Sequence, residues 1–327
     1  MKKYLIFATL VAMVFVGCKK NTTAPPKKPT EKPVAAKFSG NILKGSILEG
    51  DVTATVSTRV DLEGGWSGRG ADEVGVSMFA EGSERTAENV LADNIPYKVN
   101  GNGRFSPKSA DIYFPTKNKV DFIAYHPYNP KVTATNHTVD VLFSSQTLAN
   151  LSKMECIWAT VTGQSNMESA VNFNFKRAQG LIHITIAAGS SGYPALSRWE
   201  VTLDKVPTLG TFNVKTGIVS LPSDPKPASV KLEEFAIYTE GGSRGGRLAS
   251  FAWYAQLPPH QNTQFGDRLI RVTSPDKKHT YIVPLKQNVE AGKRHRIKIE
   301  LQKFGEAKMT SSSITDWVET SIILNAE

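Results

Sequence analysis

Beyond residue 38 the chain consists almost throughout of short segments in which apolar residues alternate with polar or small ones. Residues 73–80 (EVGVSMFA) and 181–186 (LIHITI) are examples of this period of two, which predicts strands with one buried face. A turn at residues 115–118 is expected to join two strands, at residues 111–114 and 120–125. Because no segment sustains the 3.6-residue apolar period of a long helix, the sequence predicts an all-β protein, with one turn of helix near residues 148–154.

These segments exceed what one β-sandwich holds. A sandwich domain takes roughly 100–150 residues, and strand-like segments continue far beyond that length. We therefore predict two β-sandwich domains in tandem. The predicted organisation is a signal peptide at residues 1–17, a flexible linker at 18–37, an N-terminal sandwich at 38–170 and a C-terminal sandwich at 171–327.

The first twenty residues, MKKYLIFATLVAMVFVGCKK, have the layout of a secretory signal peptide. Two lysines precede an apolar stretch too short to span a bilayer, and a glycine stands directly before Cys18. This ending resembles the lipobox of bacterial lipoproteins, although Phe15 stands where Leu, Val or Ile is more usual. The resemblance implies cleavage before Cys18 and acyl chains on that cysteine, which would anchor the protein in a membrane. The alternative is an ordinary signal peptide that contains a cysteine.

Most of the net charge of +9 lies in the N-terminal tail. Eight of the 39 lysines and arginines precede residue 38, against one of the 30 acidic residues, so 31 basic and 29 acidic residues remain for the body. A nearly neutral body lacks the basic face that nucleic-acid binding requires, whereas lysines beside a lipid favour anionic headgroups. Four prolines among these lysines, at positions 25, 26, 29 and 33, predict an extended spacer.

The sequence contains no common catalytic or metal-binding motif. The six histidines fall at no metal-ligand spacing, and G-x-S-x-G, P-loop and H-E-x-x-H patterns are missing. Cys156 has no partner for an internal disulfide once Cys18 is assigned to lipid, and its apolar neighbours indicate a small buried residue. A pair of catalytic carboxylates follows no motif and stays open. We predict a protein without catalytic activity, cofactor or metal.

Aromatic residues admit two interpretations. Exposed tryptophans would form a platform on which sugars stack. Those at positions 158, 199, 253 and 317 mostly lie inside apolar segments, which favours packing in the core. His183, within an alternating segment, is likewise expected to be a packed or edge histidine rather than a catalytic base.

Three segments together resemble the fimbrillin family, the pilin-type lipoproteins of anaerobic gut and oral bacteria. The first contains Thr58-Arg59, then Gly65-Trp66, then ADEVGV at residues 71–76, where the family has "T-R … W … D-x-I-G-V". The second and most specific joins YFP at residues 113–115 to VDFIAYHPY at 120–128, similar to "Y-F-P … V-D-F-x-A-Y-x-P-Y".

The third segment, residues 173–186, is similar to the strand pair that starts the family's second domain. Lys176 stands near the position where a histidine is common, which is a departure. ITDW at residues 314–317 also resembles the family's C-terminal "I-x-x-W". With the lipobox, the resemblance covers nearly the whole chain.

The resemblance implies two transthyretin-like, seven-stranded sandwiches that assemble by strand exchange. In this family a protease cuts after an arginine in the loop that follows the first strand, and that strand is removed. Arg59 matches by position, with residues 52–58 as the strand released, and Arg69 is the second candidate. An exposed loop arginine without such a role is the alternative for Arg59. The apolar residues of the C-terminal segment, which either close their own domain or supply the donor strand, are Val318, Ile322, Ile323 and Leu324.

Our hypothesis is a fimbrial subunit, an outer-membrane lipoprotein at the cell surface that supports adhesion and joins other subunits by strand exchange. The rival hypothesis is a monomeric cell-surface lipoprotein that binds glycans or proteins. Stalk, tip and anchor subunits are not distinguished by the sequence, and neither is the adhesion ligand.

Overall fold

The computed structural model describes residues 32–42, 60–61, 65–66, 72–151, 153–187, 198–240, 247–301 and 307–316. The described residues from Pro33 onward belong to one compact unit. Within the described ranges the only helix is α1 (Leu148–Leu151), which agrees with the predicted turn of helix. The described strands are, in chain order, β1 (Lys37–Ile42), β2 (Val60–Asp61), β3 (Gly65–Trp66), β4 (Asp72–Ala80), β5 (Val90–Val99), β6 (Phe105–Pro107), β7 (Val120–His126), β8 (Thr138–Leu142), β9 (Ile157–Gln164), β10 (Ala170–Arg177), β11 (Gly180–Ala187), β12 (Glu200–Pro207), β13 (Leu209–Asn213), β14 (Ile218–Ser220), β15 (Pro227–Leu232), β16 (Glu234–Glu240), β17 (Arg247–Leu257), β18 (Leu269–Thr273), β19 (Thr280–Pro284), β20 (Lys293–Leu301) and β21 (Ala307–Asp316).

The N-terminal half is built on a seven-stranded sheet in the order β1-β10-β9-β7-β4-β5-β6. Its strands are antiparallel except for the parallel pair of β1 and β10. Period-two segments turn their apolar side chains to one face, and these form a core rich in aromatic rings, including Phe38, Tyr97, Phe122, Phe173 and Phe175.

The C-terminal half contains a five-stranded sheet, β16-β17-β11-β20-β21, and a four-stranded sheet, β15-β12-β18-β19. Their facing sides share one core, in which Ile182 and Ile184 of β11 and Trp253 of β17 meet Val201 and Leu203 of β12. Two sheets around a shared apolar core are a β-sandwich, so the predicted all-β sandwich fold is confirmed.

A third layer joins the two halves. The three-stranded sheet β14-β13-β8 places Phe212 against Leu181 and Tyr254, which lie on the outer face of the five-stranded sheet. Polar groups are buried here too: Arg177 Nε lies 2.5 Å from Glu155 Oε1, and both side chains are almost fully buried. This buried junction follows β10, the last strand of the first sheet.

Two details differ from the sequence-based predictions. The chain changes sheets at residues 178–179, between β10 and β11, whereas the sequence placed the domain boundary before β10. The inward Phe173 and Phe175 explain the difference, because they complete the first core. The predicted strand at residues 111–114 is absent; Tyr113 instead forms a single bridge with Ala35. The division into two domains itself stays a prediction.

Candidate functional site

The first described strand, β1, is held on both edges. On one edge all six of its residues pair in parallel with β10. On the other, the Gly40 N–H donates to the Gly103 carbonyl oxygen at 2.8 Å, and Ser39 bridges to Arg104. β1 therefore closes the gap between β10 and the hairpin of β5 and β6, so its removal would leave unpaired backbone groups on both sides.

The inward face of β1 completes the first core. Phe38 and Ile42 are buried, and the Phe38 ring centroid lies 5.2 Å from that of Tyr97, 5.3 Å from that of Phe122 and 5.8 Å from that of Phe173. Burying one such side chain contributes about 1.5–3 kcal/mol. The strand is therefore bound through two side chains as well as through its backbone.

Between these two side chains, Gly40 occupies a position where a Cβ atom would collide with neighbouring rings unless they moved. A Cβ placed there would lie 2.5 Å from Phe175 Cε2 and 3.0 Å from Phe105 Cζ. The indole Nε1–H of Trp66 donates to the Gly40 carbonyl oxygen at 2.6 Å, and the Trp66 ring meets both phenylalanines edge to face. A strand that fits here without moving these rings must therefore place, at its three inward positions in order, a large side chain, a glycine and an aliphatic side chain.

The site residues predicted from the sequence, Cys18, Arg59, Val318, Ile322, Ile323 and Leu324, all lie outside the described residues, as do Arg69 and the predicted strand at residues 52–58. What the structure describes is the chain directly after Arg59. Val60 of β2 pairs with Trp66 of β3, and Trp66 bonds to Gly40 of β1. The hairpin that follows the candidate cleavage site therefore contacts the strand that precedes it.

The remaining candidates for chemistry have structural roles. Among the described residues no group of three or more His, Cys, Asp or Glu side chains is placed to hold a metal ion. Cys156 is buried and burial raises the pKa of its thiol, so a reactive thiolate is disfavoured. Trp199 and Trp253 are buried in the second core, and Trp158 Nε1 donates to the Val214 carbonyl oxygen at 2.8 Å; the packing interpretation is confirmed for these three tryptophans.

His183 is a packed histidine, as expected. Its ring stacks on Tyr254 with centroids 4.6 Å apart, and neither ring nitrogen has a hydrogen-bond partner within the described residues. Burial, with smaller contributions from Arg294 and Arg296, lowers the pKa of His183 to about 3. The imidazole is therefore neutral in the folded protein at neutral pH.

This histidine predicts a loss of stability in mild acid. A folded-state pKa below the ordinary 6.5 means that the unfolded chain binds more protons than the folded protein as the pH falls. The stability that the neutral, buried His183 contributes is therefore fully present above pH 6.5 and decreases below it. At pH 5 we expect His183 to have removed about 2 kcal/mol from the free energy of unfolding. Urea denaturation at pH 7.5 and pH 5 measures this loss, and His183→Phe, which keeps the ring contact, should reduce it by that amount. An unchanged pH dependence in the variant would contradict the prediction.

The sequence comparison decides the family. The family model described as Fimbrillin-like matches residues 58–317, which is most of the chain. The chain belongs to the fimbrillin-like family. The resemblance seen in the motifs is thereby confirmed, and family membership indicates a structural role at the cell surface rather than catalysis. No described helix is long and apolar enough to cross a membrane.

Solved structures similar to this fimbrillin-like protein support the fold. One, described as a proposed cell adhesion protein from Bacteroides uniformis, has 20% identity and a TM-score of 0.63, covering 89% of this chain and all of its own. Another, a proposed cell adhesion protein from Bacteroides ovatus, has 20% identity and a TM-score of 0.66, covering 88% of this chain and 99% of its own. No curated protein matches.

The most specific fimbrillin motif has a structural role in the seven-stranded sheet. Asp121 of the VDF sequence accepts hydrogen bonds from the backbone N–H groups of Gly82 and Gly163, each at 2.8 Å. Both glycines have a φ of +69°, a conformation that few other residues adopt. The aspartate therefore fixes the turn after β4 and the irregular pairing at the end of β9.

Proposed function

We propose that this protein is a structural subunit of a pilus, exported as a lipoprotein precursor and assembled by strand exchange after cleavage at Arg59. The observation that carries the proposal is β1, whose inward side chains belong to the first core and which precedes Arg59 in the chain. Cleavage after Arg59 would separate β1 covalently from the body, together with the linker and a lipid on Cys18.

The physical basis is the groove that β1 would leave. Without β1, the outer edge of β10 has unpaired N–H and C=O groups beside an open aromatic core, which together form a template for a strand from another subunit. The strand that cleavage would release is then β1 itself, with residues 52–58 leaving as part of the same fragment. Each subunit that accepts a strand and donates one extends a head-to-tail fibre.

The C-terminal segment is the proposed donor, and Gly40 restricts how it fits. Residues 318–324 (VETSIIL) contain Val318, Ile322, Ile323 and Leu324 but no glycine. Whichever residue of this segment enters the Gly40 position brings a Cβ atom towards Phe175 and Phe105. Insertion therefore requires the Phe175 ring to rotate. When β1 leaves, Trp66 Nε1 loses its hydrogen bond to the Gly40 carbonyl oxygen, so the Trp66 ring can move and give the Phe175 ring space.

Arg59→Ala tests the cleavage step. When the full-length protein is digested briefly with an arginine-specific protease, we expect the wild type to yield a body whose N-terminal sequence begins at Val60, and high-mass ladders on unheated SDS gels. Arg59→Ala should give neither product. Arg69→Ala is the matched control, since that arginine lies in the same region of the sequence, and it should behave like the wild type.

Two results would contradict the proposal. Ladders from Arg59→Ala would show that assembly does not need this cleavage, and a body that retains β1 within the ladder would show that another strand is exchanged.

The rival function, binding of a glycan or protein by a monomeric surface lipoprotein, is favoured by a separate observation, the cavities beside the loops of the C-terminal half.

A further inference from the structure

A buried arginine lies between two loops at one end of the C-terminal sandwich. Arg268, directly before β18, is only 1% exposed. Its Nη1 lies 2.6 Å from His260 Nε2, and its Nη2 donates to the Gln287 carbonyl oxygen. Arg268 therefore connects the loop between β17 and β18 with the loop between β19 and β20.

The histidine beside this arginine is neutral. His260 Nδ1 lies 2.7 Å from the Pro258 carbonyl oxygen, which only accepts, so Nδ1 carries the proton. The guanidinium of Arg268 only donates, so His260 Nε2 is the acceptor. Burial lowers the pKa of His260 to about 4, with a smaller contribution from the charge of Arg268. The pair therefore carries one uncompensated positive charge.

No carboxylate balances that charge in the described part of the chain, where Arg268 has no ion pair and its Nε has no hydrogen-bond partner. Burial lowers the pKa of Arg268 to about 10, so the side chain is still charged at neutral pH. A buried charge without a counter-charge is costly. Arginine is also the side chain best suited to pair with a carboxylate through two parallel hydrogen bonds.

Arg268 lines a cavity of about 250 Å³ whose wall combines charged, polar and apolar residues. Lys286 and Asp267 contribute one charge of each sign to that wall. With the charge of Arg268 added, the cavity has a net positive charge. Other residues of the wall are Asn262, Thr263 and Leu285. A carboxylate entering this cavity would lie near the charge of the Arg268 guanidinium and would find the Lys286 ammonium, the Asn262 amide and the Thr263 hydroxyl group as donors.

A larger open cleft of about 800 Å³ lies beside the same loop and shares Thr263 with the smaller cavity. Its wall is also rich in hydrogen-bonding side chains, namely Gln261, Gln264, Asn288 and Glu290. Most small-molecule pockets are lined mainly by apolar groups. This composition instead suits a ligand with many hydroxyl groups.

The two loops are tied together before any ligand binds. His260 and Val289 exchange backbone hydrogen bonds of 2.9 Å in both directions. Asn262 donates two further bonds across the loops: its backbone N–H donates to Asn288 Oδ1 at 2.9 Å and its Nδ2 to the Lys286 carbonyl oxygen at 2.6 Å. Such cross-links reduce the entropy that a site loses on binding.

We propose that these loops form a binding site for an acidic saccharide, in which the carboxylate of a uronic acid residue occupies the smaller cavity near Arg268 and Lys286. The hydroxyl groups of that residue would meet Asn262 and Thr263, and the neighbouring sugars would occupy the larger cleft. This inference goes beyond the pilus function and does not depend on it, because the site lies in the C-terminal half and β1 in the N-terminal half.

Saturation-transfer NMR on the full-length protein, with digalacturonate as the probe, tests the proposal. We expect saturable binding that weakens as sodium chloride is raised, and no binding of the neutral disaccharide cellobiose. Lys286→Gln should weaken binding about threefold to tenfold, and because Lys286 is exposed this variant should fold normally. Lys278→Gln, at another exposed lysine of the same sandwich, is the matched control and should leave the affinity unchanged.

Three outcomes would overturn the proposal. Equal binding of cellobiose would show that the carboxylate is not recognised, and equal effects of Lys286→Gln and Lys278→Gln would show that the cavity is not the site. Equally tight binding of N-acetyl-aspartate amide would show that an acidic peptide group, not a sugar, is the ligand. If the Arg268→Gln variant folds, it should abolish binding. If it does not fold, Lys286→Gln still tests the site. Failure of Arg59→Ala to block assembly would leave these results unaffected.

Discussion

Phe38→Ala will lower the free energy of unfolding by about 3–5 kcal/mol. The Phe38 ring lies in the aromatic core between Tyr97, Phe122 and Phe173, so truncation removes its buried surface and leaves a cavity that rigid neighbouring rings fill poorly. Equilibrium denaturation in urea measures the loss. Under the proposed assembly, the same variant cleaved after Arg59 should also release β1 faster, because backbone pairing and Ile42 alone then hold the strand.

Asn41→Ala is the matched control for this prediction. Asn41 belongs to the same strand but is exposed, so its truncation should change the free energy of unfolding by less than about 0.5 kcal/mol. A loss below about 1 kcal/mol for Phe38→Ala would show that β1 is a loosely attached segment. The groove left by β1 could then not drive strand exchange, since a strand that contributes little stability leaves little for a donor strand to gain.

The all-β architecture could be predicted because it follows from local pattern. Alternation in residues 181–186 corresponds to β11, and the segment at residues 120–125 corresponds to β7. The alternation of apolar and polar side chains is a property of residues that are neighbours in sequence, and it is the same whichever strand pairs with the segment. The family, too, was recognisable from short motifs such as YFP and VDFIAYHPY, because residues such as Asp121 have fixed structural tasks in the fold.

Strand pairing could not be predicted in this way, because the partner of a strand is not encoded in its period. Residues 111–114 have a strand-like pattern, yet they form no strand. They lie beside the N-terminal segment instead, where the Phe114 N–H donates to the Val34 carbonyl oxygen at 3.0 Å. For the same reason β10 was assigned to the second sandwich, whereas its two phenylalanines complete the first core.

The candidate site was only partly predictable. The sequence placed the releasable strand at residues 52–58, directly before Arg59, which stays a prediction because these residues lie outside the described ranges, and it treated Lys37 as the end of the linker. The alternation of Phe38, Gly40 and Ile42 was an available signal for β1. The requirement for glycine at position 40 was not, because it depends on Phe105 and Phe175, which are distant in sequence and meet at that point only in the folded protein. The cavity beside Arg268 was also missed, since no motif marks a buried arginine without a carboxylate.

Breaking the buried ion pair between Glu155 and Arg177 will be as damaging as the loss of Phe38. Both side chains are at most 1% exposed, with Arg177 Nε 2.5 Å from Glu155 Oε1. Glu155→Leu or Arg177→Met removes one partner of a buried ion pair, so we expect each to cost about 3–5 kcal/mol of the free energy of unfolding. The double variant should cost less than either single variant, because both charges of the pair are then removed from the buried site together.

Urea denaturation of the four proteins in this cycle measures the coupling, and Lys215→Met is the control, since Lys215 pairs with a Glu84 side chain that is 75% exposed; its urea midpoint should not move. Additive losses in the double variant would contradict the prediction. The pair lies where β10 leaves the first sheet, at the junction between the two halves. Under the proposed assembly, tension applied to the groove of β1 would pass through this junction towards the C-terminal segment, so single variants that still fold should also give fibres that break at lower force.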